Sequence, residues 1–192
     1  MTADLVEDVM LRMPVGRDWT FEDLLQLPDD GRRYEIVDGS LHVLPAPHRT
    51  HQRVADRLAD VLKEAAPADL EVLQAVGVAC GRHTPVPDIV VGARWPSVDS
   101  PGFWATDVRL VVEVMSPSSV LADRVSKPAM FAAAGVPSFW RVELDGHSTP
   151  LIVVHGLNGG VYREVVTVRA GESATVDVPL RVELRPSDWM EP

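Results

Sequence analysis

The chain has 192 residues, 46% of them hydrophobic and 24% charged, the balance of one folded globular domain rather than of a disordered or fibrous chain. A formal net charge of −10 argues against broad, non-specific affinity for nucleic acid, which depends on lysine and arginine displacing counterions, but leaves room for a local groove. No apolar run approaches the roughly 20 residues that span a bilayer, and the acidic start, Met1 to Asp8, has no basic-then-apolar export signal. A cytoplasmic protein without membrane contact is therefore expected. The single cysteine, Cys80, excludes an intrachain disulfide and a cysteine-based zinc site and is expected as a small buried thiol.

In chain order, residues 1–18 show little periodicity and are expected as a loose N-terminal arm or a short packing segment. Thr20 to Leu25 combines a capping threonine, acids in the first turn and an apolar pair, which predicts a short helix ending near Pro28. Asp29-Asp30-Gly31 is a turn. Tyr34 to Val37, Asp38-Gly39 and Leu41 to Leu44 give a hairpin, since an Asp-Gly pair suits a tight reversal between apolar strands. Glu35 lies either on the solvent side of that hairpin or toward a site. Val54, Leu58, Val61, Leu62 and Ala65 form a 3.6-residue stripe that predicts a helix ended by Pro67. His51 falls in its first turn as a polar cap, a surface residue or a site-lining group. Arg49, Arg53 and Arg57, spaced by four, share one side of this helix. They serve either as a solvated face ion-paired to Asp56, Asp60 and Glu64, or as phosphate contacts. Leu70 to Ala79 reads as one strand with Val72, Gln74, Val76 and Val78 on one face. Gln74 is its polar exception, placed at an edge or toward a site.

The central stretch carries the chemistry. Asp88 follows Pro87 and precedes Ile89-Val90-Val91, a buried strand. Glu113 sits inside Leu110-Val111-Val112-Glu113-Val114-Met115, apolar enough to be covered on both faces. Period two groups Val111, Glu113 and Met115 on one face and Leu110, Val112 and Val114 on the other. A carboxylate in such a strand is costly to desolvate without a cation or strong donors, so two of them suggest a metal site. Oxygen ligands without cysteine favour Mg²⁺ or Mn²⁺ over zinc. Lys127 arrives from a helix over about Leu121 to Ala134, stopped by Gly135 and Pro137, with Ser126 as N-cap and Pro128 in its first turn. Between the acids, Arg94 to Asp107 is a long irregular excursion. Its Trp95 and Trp104 are suited to stacking on bases, to covering a dimer contact or to packing the loop onto its own domain.

Phe139 to Leu144 is a strand ended by Asp145-Gly146. Leu151 to His155 and Val161 to Val168 form a hairpin about Gly156 to Gly160, and Ala174 to Val178 and Leu180 to Leu184 are short strands closing one edge. The expected fold class is α/β (α+β): one domain over 1–192, a mixed β-sheet flanked by helices, with an N-terminal helix and hairpin and extra C-terminal strands.

Several of these segments carry a resemblance: Tyr34 to Gly39, His51-Gln52, Pro87-Asp88, Glu113 with Ser116-Pro117-Ser118, and Asp123 and Lys127 ahead of Ala134 to Trp140. From about Thr20 to Glu183 the chain resembles the PD-(D/E)XK nuclease superfamily and, within it, the Uma-type restriction endonucleases. The resemblance implies a restriction-endonuclease-like core with one or two divalent cations, usually magnesium, on Asp88 and Glu113. It also implies Glu35 as a third carboxylate, His51 in contact with phosphate, a DNA substrate and a homodimer. The superfamily's lysine lies two residues after the second acid, where this chain has Met115, so the role passes to Lys127. Two other readings stay open: a catalytically idle nuclease-fold module that binds nucleic acid or a partner protein, and a nucleotide or small phosphoester hydrolase.

Overall fold

The computed structural model describes residues 14, 16–28, 30–44, 46–94, 100–115, 122–144 and 150–190, without the side chains of 122 and 123. The N-terminal arm up to residue 13, Asp29, Trp95, Ser116 to Ser119, the Asp123 side chain and the Asp145-Gly146 turn lie outside the described residues.

A 3-10 turn, Glu22–Gln26, stands where a capped helix was expected. Thr20 does not cap it. The Asp23 carboxylate instead accepts from the Thr20 amide at 2.9 Å and its hydroxyl at 3.1 Å. Strands β1 (Arg33–Val37) and β2 (Ser40–Leu44) then form the hairpin. Asp38 and Gly39 both take positive φ, 47° and 76°, as a reversed two-residue turn requires. Helix α1 (Arg49–Ala65) buries Val54, Leu58 and Leu62, the face its apolar stripe specifies.

The expected single strand from Leu70 to Ala79 is broken into β3 (Leu70–Gln74) and β4 (Gly77–Ala79). Ala75 adopts φ +54°, a left-handed conformation that turns the chain and sends Val78 to the opposite core from Val72. Strand β5 (Ile89–Ala93) is followed by β6 (Gly102–Trp104), so part of the expected irregular loop is a strand parallel to β4. The approach is close: a Cβ on Gly102 would lie 2.0 Å from the Gly77 carbonyl oxygen. Trp104 is half exposed and packs edge-on against Phe21, 5.1 Å between centroids, which favours the loop-packing alternative.

Strand β7 (Val108–Val114) leads through helix α2 (Lys127–Ala133) to β8 (Ser138–Leu144). Ser126 makes no side-chain cap, and Gly135 at φ +81° follows the helix end. Strands β9 (Pro150–Asn158) and β10 (Val161–Val168) are joined at Gly159 and Gly160, both at positive φ. β9 thus runs through Gly156, which was expected in the turn. Strands β11 (Ala174–Val176) and β12 (Val182–Leu184) pair only with each other among the described residues. They therefore cover the core beside α1 instead of closing an edge of the main sheet.

That sheet has six strands in the order β10-β9-β8-β7-β5-β3, with only β7 and β8 parallel. On one face α1 packs over Leu110, Val112, Val114, Trp140, Ile152 and Trp189. On the other, Phe131 of α2 packs with Val90, Val111 and Phe139. Glu113 alternates onto this second face, as period two requires.

Candidate active site

Asp88 stands immediately before β5, and β5 runs antiparallel to β7 with Ile89 opposite Val112. This pairing sets the Asp88 carboxylate against the C-terminal end of β7. Oδ2 accepts from the Val114 amide at 2.8 Å and meets His51 Nε2 at 3.0 Å, while Arg33 Nη1 lies 3.9 Å from Oδ1. The His51 ring comes from the first turn of α1 and is buried. With Asp88 ionised, Nε2 carries the proton in that contact.

Glu113, one residue before the amide that Asp88 holds, is 2% exposed. Lys127, the first residue of α2, brings Nζ to 2.8 Å from Glu113 Oε1. Two contacts thus flank adjacent residues at the end of β7: Lys127 on the Glu113 carboxylate, and the Val114 amide on Asp88, which His51 also meets.

The other expected residues are distributed around this centre. Glu35 alternates with Arg33 on the same face of β1, and its Oε2 is buried with no hydrogen-bond partner among the described residues. The same holds for His51 Nδ1. Gln74 directs its amide to Asp56 Oδ1 at 2.9 Å, an oxygen that Gln52 also donates to at 2.8 Å. Arg53 lies on the outer side of α1, in a surface groove with Arg49, Asp56 and Arg57. The expected ion pairs from this arginine row do not form among the described residues, since Asp56 is held by the two amides and Asp60 by Lys63. Sequence reading passed over Arg33. The signal was present, because Arg33 stands two residues before Glu35 and so shares its face of the strand.

A family model described as "Uma2: Putative restriction endonuclease" matches residues 21–187. The chain belongs to the Uma2 family. A solved structure described as "a putative nuclease belonging to DUF820 from Anabaena variabilis" matches at a TM-score of 0.67 and 18% identity, covering 89% of this chain and 97% of that one. That likeness shows the shared nuclease-type fold. A search of curated proteins gave no match.

The donor set of this Uma2 chain can be tested against the divalent cation that such folds generally use. Asp88, Glu113 and Glu35 offer only carboxylate oxygens, the ligands of a hard cation. A buried carboxylate oxygen without a partner, such as Glu35 Oε2, is costly unless a cation or donor meets it. The residues fit on that ground. Against it, no group of three or more His, Cys, Asp or Glu side chains stands gathered for a metal among the described residues. Cys80 plays no part: burial pushes its thiol up to about 12, leaving an inert protonated sulfur.

Proposed function

We propose that this Uma2 protein is an endonuclease that hydrolyses phosphodiester bonds in DNA with Mg²⁺ or Mn²⁺ held by Asp88 and Glu113. The observation that carries the reading is the meeting of Lys127 Nζ with Glu113 at 2.8 Å beside the amide that holds Asp88. When bound, the cation supplies a water of lowered pKa and polarises the phosphoryl group. Lys127 orients the attacking water and stabilises the charge that grows on the phosphoryl oxygens, a role typically worth about 10²-fold or more in rate. His51 holds Asp88 in place through Nε2 and lines the phosphate-binding side of the site. Glu35 adds negative charge for the cation or a water, and Gln74 and Arg53 contact the nucleic-acid backbone at the rim. A cytoplasmic homodimer, with one site for each strand, completes the proposal.

One observation favours a second reading. Both acids already have protein partners, Asp88 the Val114 amide and His51, and Glu113 the Lys127 ammonium, as in a nuclease-fold module that binds nucleic acid or protein without cutting it.

Cleavage of plasmid and single-stranded DNA in Mg²⁺, Mn²⁺ or EDTA separates the two. The endonuclease reading expects cation-dependent cutting by the wild type, abolished in Asp88→Ala and at least about 10²-fold slower in Lys127→Met. No cation-dependent cutting, equally absent in wild type and Asp88→Ala, with binding retained, leaves the idle module. Sedimentation of the same sample reports the dimer.

A further inference from the structure

Beside the candidate active site, between α2 and strands β8 to β10, lies a pocket of about 340 Å³. Pro128 and Ala129, which line it, directly follow Lys127 in α2. Arg141, another lining residue, is the in-register neighbour of Glu113 across the parallel β7–β8 pair, one strand spacing of about 4.8 Å away. The pocket and the site therefore share one face of the sheet and one helix.

Its walls are flat and apolar, and its edge is polar. Tyr162 and His155, from β10 and β9, both pack against Phe139, with ring centroids 5.5 and 6.1 Å from it. Tyr162 is fixed by donating its hydroxyl to the Val136 carbonyl at 2.9 Å. Glu143 takes Arg141 Nε on one oxygen and Arg124 Nη2 on the other, each at 2.7 Å, so two guanidiniums share one carboxylate and a net positive charge remains. His155 Nδ1 lies 3.2 Å from the Phe139 carbonyl oxygen, which only accepts, so Nδ1 carries the proton. Burial, and then the charge of Arg141, lower the affinity of this ring for a second proton, which leaves Nε2 as an acceptor. A flat ligand with a hydrogen-bond donor beside an acceptor matches an imidazole acceptor next to guanidinium donors, and aromatic walls suit its faces.

Resting on the nuclease reading above, we propose that this pocket receives one unstacked nucleobase of the DNA, the one flanking the phosphodiester held at Asp88 and Glu113. The overall charge of −10 makes such a contact useful. Where backbone attraction is weak, base stacking on aromatic groups supplies sequence-tolerant affinity. Extrusion of a base also bends the strand and presents the adjoining phosphate.

The test uses the full chain in EDTA, so that nothing is cut, with short single-stranded and duplex DNA carrying 2-aminopurine at successive positions. Ala129 and Ala133 line the pocket from the exposed side of α2, so Ala129→Trp or Ala133→Trp fills it without entering the core. Wild-type protein is expected to raise the emission severalfold at one position. Either tryptophan variant is expected to abolish that rise and weaken binding about tenfold or more. Binding without a position-dependent rise, or a rise unchanged in both variants, overturns the pocket and leaves the nuclease reading standing. A wild type that binds no DNA overturns the pocket as well. Cation-dependent cleavage, measured separately, decides the catalytic reading alone.

Discussion

The two faces of the central sheet are built to different ends. The α1 face is closed over fully buried aliphatic and aromatic side chains, among them Leu58, Leu62, Leu110, Trp140, Ile152 and Leu184, with Trp189 behind them. The α2 face has a smaller apolar cluster around Val111, Phe131 and Phe139, and then gives way to Glu113, Lys127, Arg141, Glu143 and His155. Burying one large aliphatic side chain stabilises by roughly 1.5–3 kcal/mol. A buried ion pair often contributes nothing net, because desolvation offsets the attraction. One face thus supplies stability while the other holds charges where chemistry can use them.

The largest effect expected from that contrast is on the α1 side. Trp140 is fully buried, and its indole N–H donates to Ser138 Oγ at 3.0 Å. Trp140→Ala removes both the packing and the donor, with an expected loss of about 3–5 kcal/mol in urea unfolding. A loss below about 1 kcal/mol would show that the α1 face is not the main source of stability.

On the α2 side the sign of the effect depends on how many partners are removed. Glu113→Leu alone removes the carboxylate 2.8 Å from the Lys127 ammonium, which is 15% exposed, and is expected to cost about 3 kcal/mol. Replacing both, as Glu113→Leu with Lys127→Met, is expected to be neutral or to stabilise by roughly 1–4 kcal/mol while abolishing cleavage. If the double variant is as unstable as the single, the pair is structural and the contrast between the faces fails.

How far these faces were legible in the sequence differs between them. The alternation in Leu110 to Met115 assigned each residue of β7 to its side, and Asp38-Gly39 set the hairpin, because both rest on local periodicity or on one backbone conformation. Asp88, Glu113 and Lys127 were visible as charges in apolar surroundings. What failed was non-local. Nothing in Gln74-Ala75-Val76 announces an alanine in left-handed conformation, so the break between β3 and β4 was missed. The pairing of β11 with β12 away from the main sheet depends on packing against α1. Arg33 was overlooked because an arginine next to a turn reads as surface until the packing of the hairpin against the main sheet brings Asp88 within 3.9 Å of it.

A smaller effect tests the pocket edge. Burial and the positive Arg141 lower the affinity of His155 for a proton. A depressed histidine contributes stability above its ordinary value of about 6.5 that is lost as pH falls below it. Wild type should therefore lose stability relative to His155→Gln between about pH 7 and pH 5. Parallel unfolding curves at both values, with no change in the difference, would remove His155 from the charged side of the comparison.

The smallest effect belongs to a pair with the same chemistry as Glu113 and Lys127 but out in water. Arg17 grips Asp23 through two hydrogen bonds of 2.6 and 2.8 Å, with the arginine side chain 54% exposed. The guanidinium holds the Asp23 carboxyl at about 2, well below its ordinary 3.8. A depressed carboxyl contributes stability that is complete above its ordinary value and is lost as pH falls toward its folded value. Water screens the pair, so Asp23→Ala is expected to cost less than about 1 kcal/mol near neutral pH. The difference from wild type should shrink as the pH approaches about 2, and salt should shrink it further near neutrality. A salt-independent loss as large as that of Glu113→Leu would mean that the surface pair, too, is shielded from water, and burial would no longer be what separates the two pairs.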